Sequence, residues 1–108
     1  MEIFDIIKEQ LAQNPVVLYM KGTPQFPQCG FSARAVEVLS GIGKPFAYVN
    51  ILEAPDIRQG MKEFANWPTF PQLWVKAELV GGSDIIAEMG ASGELAKLLE
   101  EAVPQAAQ

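Results

Sequence analysis

The chain has 108 residues, 49% hydrophobic and 19% charged, with a formal net charge of −5, one cysteine and no histidine. This is long enough to bury one core without disulfides or structural metal, it sits near soluble averages and so suggests no membrane protein, and its acidity argues against nucleic acid as the main partner, since phosphate binding needs a basic surface. The absent histidine removes Cys–His nucleophile pairs, histidine general bases and histidine metal ligands, and a lone cysteine cannot form an internal disulfide.

Ile3, Phe4, Ile7 and Leu11 recur at helical spacing and predict an amphipathic helix over residues 2–13, ended by Asn14-Pro15. The first residues carry acids and lack the basic flank of a secretory signal, so the expected location is the cytoplasm. Val16-Val-Leu-Tyr-Met20 is the longest unbroken apolar run, far short of a bilayer span and rich in β-formers. It reads as a strand covered on both faces. From Ser32 to Ile42, Ala35, Val38, Leu39 and Ile42 form one helical stripe. Between strand and helix lies Lys21-Gly-Thr-Pro-Gln-Phe-Pro-Gln-Cys29-Gly-Phe-Ser32. Cys29 therefore falls at a helix N-terminus, where unpaired N–H groups and the positive end of the macrodipole favour a thiolate, and Lys21 adds a positive charge. Its thiol is expected below the ordinary value of about 8.5.

Gly43-Lys-Pro45 closes the unit, and residues 46–51 read as a second strand. Strand, helix and strand in this order predict a parallel, right-handed βαβ unit. Pro55 and Asp56 open a helix to Ala65 that places Ile57, Met61 and Phe64 on one face, with Gly60 costing about 1 kcal/mol relative to alanine. Asn66-Trp-Pro-Thr-Phe-Pro71 breaks it with two prolines. Residues 72–75 and 78–80 are strands so close that they must form an antiparallel hairpin. Gly81-Gly82 ends the hairpin, and Ser83-Asp84 stands as a cap before the apolar run at Ile85. A last helix from about Ser92 or Glu94 carries Leu95, Leu98, Leu99 and Val103, and residues 104–108 are expected to be a frayed tail. The expected order is αβαβαββα: one α/β domain over 1–108, with helices around a small mixed sheet.

That order, with a cysteine after the first strand and a proline loop before the hairpin, resembles the thioredoxin fold with its four-stranded mixed sheet. Lys21-Gly-Thr-Pro, Pro27-Gln-Cys29-Gly-Phe-Ser32, Trp67-Pro-Thr-Phe-Pro-Gln72 and Gly81-Gly-Ser-Asp-Ile85 together resemble the monothiol glutaredoxins of the Cys-Gly-Phe-Ser type. The resemblance spans roughly residues 3 to 100. It implies a catalytic and metal-ligating Cys29 and a glutathione groove lined by Lys21, Phe31, Arg58, Thr69, Phe70, Gly82, Ser83 and Asp84. It also implies a cis peptide bond before Pro71. The chemistry of glutathione agrees: Lys21 and Arg58 suit its two carboxylates, Asp84 suits its amine, and an extended Thr69-Phe70 backbone suits its peptide portion. Taken singly, Lys21 and Arg58 are ordinary surface charges, Asp84 an ordinary helix cap and Gly81-Gly82 an ordinary turn.

Two departures from the family pattern stand out. Lys76-Ala77 fills a hairpin turn where a glycine is common, so the turn must be of another type or strained. Ser83 stands where some relatives carry a second cysteine. Within the active motif, Ser32 occupies the place of the resolving thiol of dithiol relatives, and a hydroxyl cannot resolve a disulfide. The resemblance thus favours glutathione-dependent [2Fe–2S] cluster binding and transfer, with a homodimer bridged by the cluster and apo iron–sulfur proteins as recipients. Weak monothiol oxidoreductase activity and a regulatory partnership with BolA-type proteins stand beside it as alternatives.

Overall fold

The apolar run at residues 16–20 is the spine of a sheet. In a computed structural model that describes residues 2–104, it forms β1 (Val16–Met20), with all five residues buried. β1 pairs in parallel with β2 (Ala47–Asn50), Val17 opposite Ala47, and antiparallel with β3 (Gln72–Val75), Val17 opposite Trp74. β4 (Glu78–Gly81) completes the order β2-β1-β3-β4. The helices are α1 (Ile3–Gln13), α2 (Gly30–Ile42), α3 (Pro55–Ala65), α4 (Ser83–Ser92) and α5 (Glu94–Ala102).

Successive side chains of a strand face opposite ways. Val16, Leu18 and Met20 accordingly join Ala35 and Leu39 of α2, Ile86 of α4, and Leu95 and Leu99 of α5 in one core. Val17 and Tyr19 join Ile7 and Leu11 of α1, Ile57 and Met61 of α3, and Trp74 in a second. A strand buried on both faces has no polar alternation, hence the unbroken run in the sequence. Each fully buried Leu or Ile contributes about 1.5–3 kcal/mol, so the sheet is the most strongly held part of the chain. All of the groove-forming loops described below spring from it or from the helices packed on it.

The helix ends follow local chemistry. Asn14, before Pro15, donates its side-chain amide to the Gln10 carbonyl at 3.2 Å. Gly43 closes α2 in the left-handed region, its N–H donating to Leu39, and Asn66 closes α3 in the same way. Pro55 sits in the first turn of α3, where its missing N–H costs nothing. Among the described residues the one ion pair, Lys44–Glu100, ties the segment before β2 to α5.

The structure corrects the sequence reading at the last helices and at the start of α2. The order is αβαβαββαα, because residues 83–92 form a helix of their own and Gly93, at φ 89°, separates it from the last one. α4 meets α2 through a glycine: a Cβ at Gly90 would lie 2.6 Å from Val38 Cγ1. α2 begins at Gly30 rather than Ser32, since the Cys29 carbonyl already accepts from the Ala33 N–H at 2.9 Å. Of the two alternatives for the hairpin turn, the strained one holds. Lys76 and Ala77 take φ 52° and 63°, the two positive values of a type I′ turn, without a glycine at either place. Of the expected tail, residues 105–108 lie outside the described residues.

Candidate functional site

Cys29 is half-buried and is the residue from which α2 starts. Its position is set by the loop before it, which doubles back on itself. Gly22, at φ 95°, bridges to Pro27, and the Gln28 N–H donates to the Lys21 carbonyl at 2.9 Å. Only glycine fits there: a Cβ would lie 2.5 Å from the Phe26 carbonyl oxygen and 2.7 Å from the Gln28 nitrogen. Asn50, at the end of β2, fixes the loop base by accepting from the Gly22 N–H at 2.9 Å and the Leu52 N–H at 3.1 Å. Across the tip, Thr23 and Phe26 exchange backbone hydrogen bonds, and Phe26 and Phe31, before and after Cys29 in the sequence, stay exposed.

The thiol is held below its ordinary value. The largest cause is the Ser32 backbone N–H; burial, the next in size, opposes it, and the Phe31 N–H, the Lys21 charge and the Ser32 hydroxyl each lower it further by less. This is the expected direction, but the open N–H groups of the first helical turn outweigh the lysine. Ser32 itself is fully buried, its oxygen accepting from the Lys21 N–H at 3.1 Å, which leaves its O–H to donate toward the sulfur.

An open groove of ≈ 680 Å³ runs past the thiol across the end of the sheet. The structure brings every residue singled out in the sequence into its lining: Lys21, Cys29, Phe31, Arg58, Thr69, Phe70, Gly82, Ser83 and Asp84. The walls come from different elements. Lys21 follows β1, Arg58 projects from α3, Thr69 and Phe70 belong to the loop before β3, and Ser83 and Asp84 open α4. The Phe70–Pro71 bond is cis, as expected. Gly82 lies beside both walls: a Cβ there would stand in ordinary contact, 3.4 Å from the Pro71 carbonyl oxygen and 3.6 Å from the Trp67 indole nitrogen.

Sequence reasoning missed Lys62, Trp67, Pro68 and Ile85, which also line the groove. Lys62 was within reach, because it lies four residues beyond Arg58 and so shares its helical face. An isolated tryptophan such as Trp67 is more often a core residue than a ligand contact.

The charges are arranged asymmetrically. Lys21, Arg58 and Lys62 have no ion pair with a described carboxylate, and Asp84 lies in the first turn of α4 with no described cation against it. Two polar atoms of groove-lining residues, Trp67 Nε1 and Ser83 Oγ, are buried without a hydrogen-bond partner among the described residues. Taken together, the groove fits a small, extended molecule that carries both carboxylates and an amine and a group able to meet a thiolate. For metal, the described residues hold no group of three His, Cys, Asp or Glu side chains that could bind an ion. One chain offers a single thiolate, Cys29, which fits an iron–sulfur cluster only if other thiolates come from outside the chain.

Comparison with known proteins bears on this geometry. The glutaredoxin family pattern matches residues 16–80. Glutaredoxin 4 of Haemophilus ducreyi is 61% identical over 101 residues, covering 94% of this chain and 94% of its own. Glutaredoxin 4 of Escherichia coli K12 is 59% identical over 95 residues, covering 88% and 83%. Among solved structures, that of reduced poplar apo GrxS14 in solution matches with a TM-score of 0.82 at 44% identity, over 97% of this chain and all of that one (100%).

Proposed function

The chain belongs to the glutaredoxin family, as a monothiol member of the Cys-Gly-Phe-Ser type with the thioredoxin fold, and from that premise we propose that it binds glutathione in its groove and carries [2Fe–2S] clusters as cargo. The observation that carries this reading is the pairing of Cys29, its thiol held below the ordinary value, with a neighbour that cannot act as a second thiol. Ser32 is buried and already bonded to the backbone of Lys21. A dithiol exchange route is therefore closed to this site, while its thiolate stays available as a ligand.

In this reading Lys21, Arg58 and Lys62 meet the glutathione carboxylates, and Asp84 meets its amine. The Thr69-Phe70 backbone pairs with the peptide as an added strand would, and the glutathione sulfur stands beside Cys29. A [2Fe–2S] cluster usually takes four thiolates, and with no histidine in the chain none can be replaced by imidazole. Two chains supply two Cys29 thiolates and two groove-bound glutathiones supply the rest, which makes the loaded form a homodimer. Because half of the ligands are held without a covalent bond to protein, the cargo leaves readily to an apo iron–sulfur protein. The exposed Phe26 and Phe31 flanking Cys29 offer apolar contact to such recipients or to a BolA-type partner.

One observation favours a second reading. The low-pKa, accessible thiolate can attack a glutathionylated protein disulfide, releasing that protein's thiolate and taking glutathione onto Cys29. A second glutathione thiolate then frees Cys29 as glutathione disulfide departs. Anaerobic reconstitution with iron and sulfide, with and without glutathione, separates the two readings. The carrier reading expects a coloured dimer with one cluster, formed only with glutathione and lost in Cys29→Ser. Cluster assembly that ignores the low-molecular-weight thiol, or that survives Cys29→Ser, contradicts it.

A further inference from the structure

The segment from Trp67 to Pro71 forms one wall of the groove yet lies outside helix and strand. What shapes it from below is one side chain. Gln72, at the start of β3 opposite Tyr19, is fully buried on the side of the sheet covered by α1 and α3. Its Nε2 donates to the carbonyls of Trp67 and Thr69, each at 3.2 Å, and its Oε1 accepts from the Trp74 indole nitrogen at 3.2 Å. A carboxamide is the only side chain that offers two donors on one nitrogen and an acceptor beside them. Both N–H groups and the oxygen are engaged. An apolar residue of the same length would fill the space and leave two carbonyls and an indole N–H unmatched; a carboxylate would face two carbonyl oxygens with no proton to give.

We propose that Gln72 is the positioning residue of the groove, its carboxamide holding the Trp67 and Thr69 carbonyls inward so that the Thr69-Phe70 backbone keeps its outward edge for an extended peptide ligand. This rests on the glutathione reading and deepens it. The side chain touches no ligand itself; it acts through the loop. The geometry also separates its effect from that on the thiol, because the groups that lower the Cys29 pKa, the Ser32 and Phe31 amides and Lys21, belong to other parts of the chain.

The test uses full-length Gln72→Met and Gln72→Glu with glutathione as titrant, alongside thermal melts and the Cys29 titration. For folded Gln72→Met, glutathione affinity is expected to fall on the order of tenfold, the equivalent of one well-formed hydrogen-bond set, with the Cys29 pKa unchanged. Gln72→Glu should bind poorly at about pH 8 and recover toward about pH 6, because a buried carboxyl facing carbonyls titrates high and, once protonated, donates to one of them. Wild-type affinity in a folded Gln72→Met overturns the proposal, as does a Gln72→Glu defect that ignores pH. So does a loss of affinity that moves in step with the Cys29 pKa. If the wild-type protein binds no glutathione, the ligand reading fails, and backbone relaxation of Thr69 and Phe70 decides the role of Gln72 alone. Increased motion there in Gln72→Met supports it, and unchanged motion overturns it.

Discussion

Gly22→Ala tests how the loop before the thiol is built. A methyl at this position meets backbone, which cannot rotate away: the Phe26 oxygen at 2.5 Å and the Gln28 nitrogen at 2.7 Å. The residue also sits at φ 95°, where alanine is strained by roughly 1–3 kcal/mol. Relieving the contacts means moving Gln28 off the Lys21 carbonyl, now 2.9 Å away, or Gly22 off Asn50, also at 2.9 Å, at about 1 kcal/mol for each bond lost. The expected destabilisation is therefore about 2–4 kcal/mol, among the larger effects for a single methyl. Because Gln28 immediately precedes Cys29, the displaced loop should also disturb the thiolate. Urea unfolding gives the first quantity and thiolate absorbance against pH the second. A loss below about 0.5 kcal/mol, within the range of a neutral surface change, together with an unaltered thiol titration, would refute this account of the loop.

Other substitutions test the site and its frame. Ser32→Ala should raise the Cys29 pKa without restoring the full ordinary value, since the backbone N–H groups remain; thiolate titration reads this directly. The lowered thiol also has a signature in stability. The unfolded chain holds the extra proton between the folded and unfolded values, so stability increases with pH across that window and is lost as pH falls through the folded value; Cys29→Ser should flatten this dependence in denaturant midpoints. Lys21→Ala and Arg58→Ala should weaken glutathione binding several-fold while shifting stability by less than about 1 kcal/mol, because exposed charges contribute little to folding. Calorimetric titration beside thermal melts separates the two effects, and parallel losses would make these residues structural. Ala77→Gly should stabilise by about 0.5–1 kcal/mol and raise Tm by a few degrees, by relieving φ 63° in the hairpin turn.

Where burial was two-sided or a motif was continuous, the sequence was readable. Val16 to Met20 announced a central strand because nothing polar interrupts it, and each site motif lay within one short loop, so the topology had only to bring the loops together. The groove residues that were missed show the complementary limit. Lys62 becomes meaningful only once α3 is known to turn that face toward the thiol, and Trp67 only once Gly82 is seen packed against its indole. α4 is hard to read as a separate helix because it carries Gly90, a poor helix former, where it packs on Val38 of α2. The thiol was read correctly in direction, yet the ranking of causes depends on where the Ser32 and Phe31 N–H groups point, and that is set by the start of α2 two residues earlier than expected. Gln72, unremarkable in the sequence as the last residue of a motif, gains its role only from the three partners that converge on it.

The central claim is that the groove at the end of the sheet is a glutathione site with Cys29 at its edge. Titrating reduced glutathione into the reduced, cluster-free protein while following backbone amide resonances tests it most directly. The account predicts saturable shifts confined to Lys21, Cys29 to Phe31, Thr69, Phe70 and Gly82 to Asp84, lost in the Lys21→Ala, Arg58→Ala double variant. Shifts that never saturate, or that centre elsewhere, such as the shallow hollow beside Pro15, Phe46 and Val103 at another part of the surface, would contradict it.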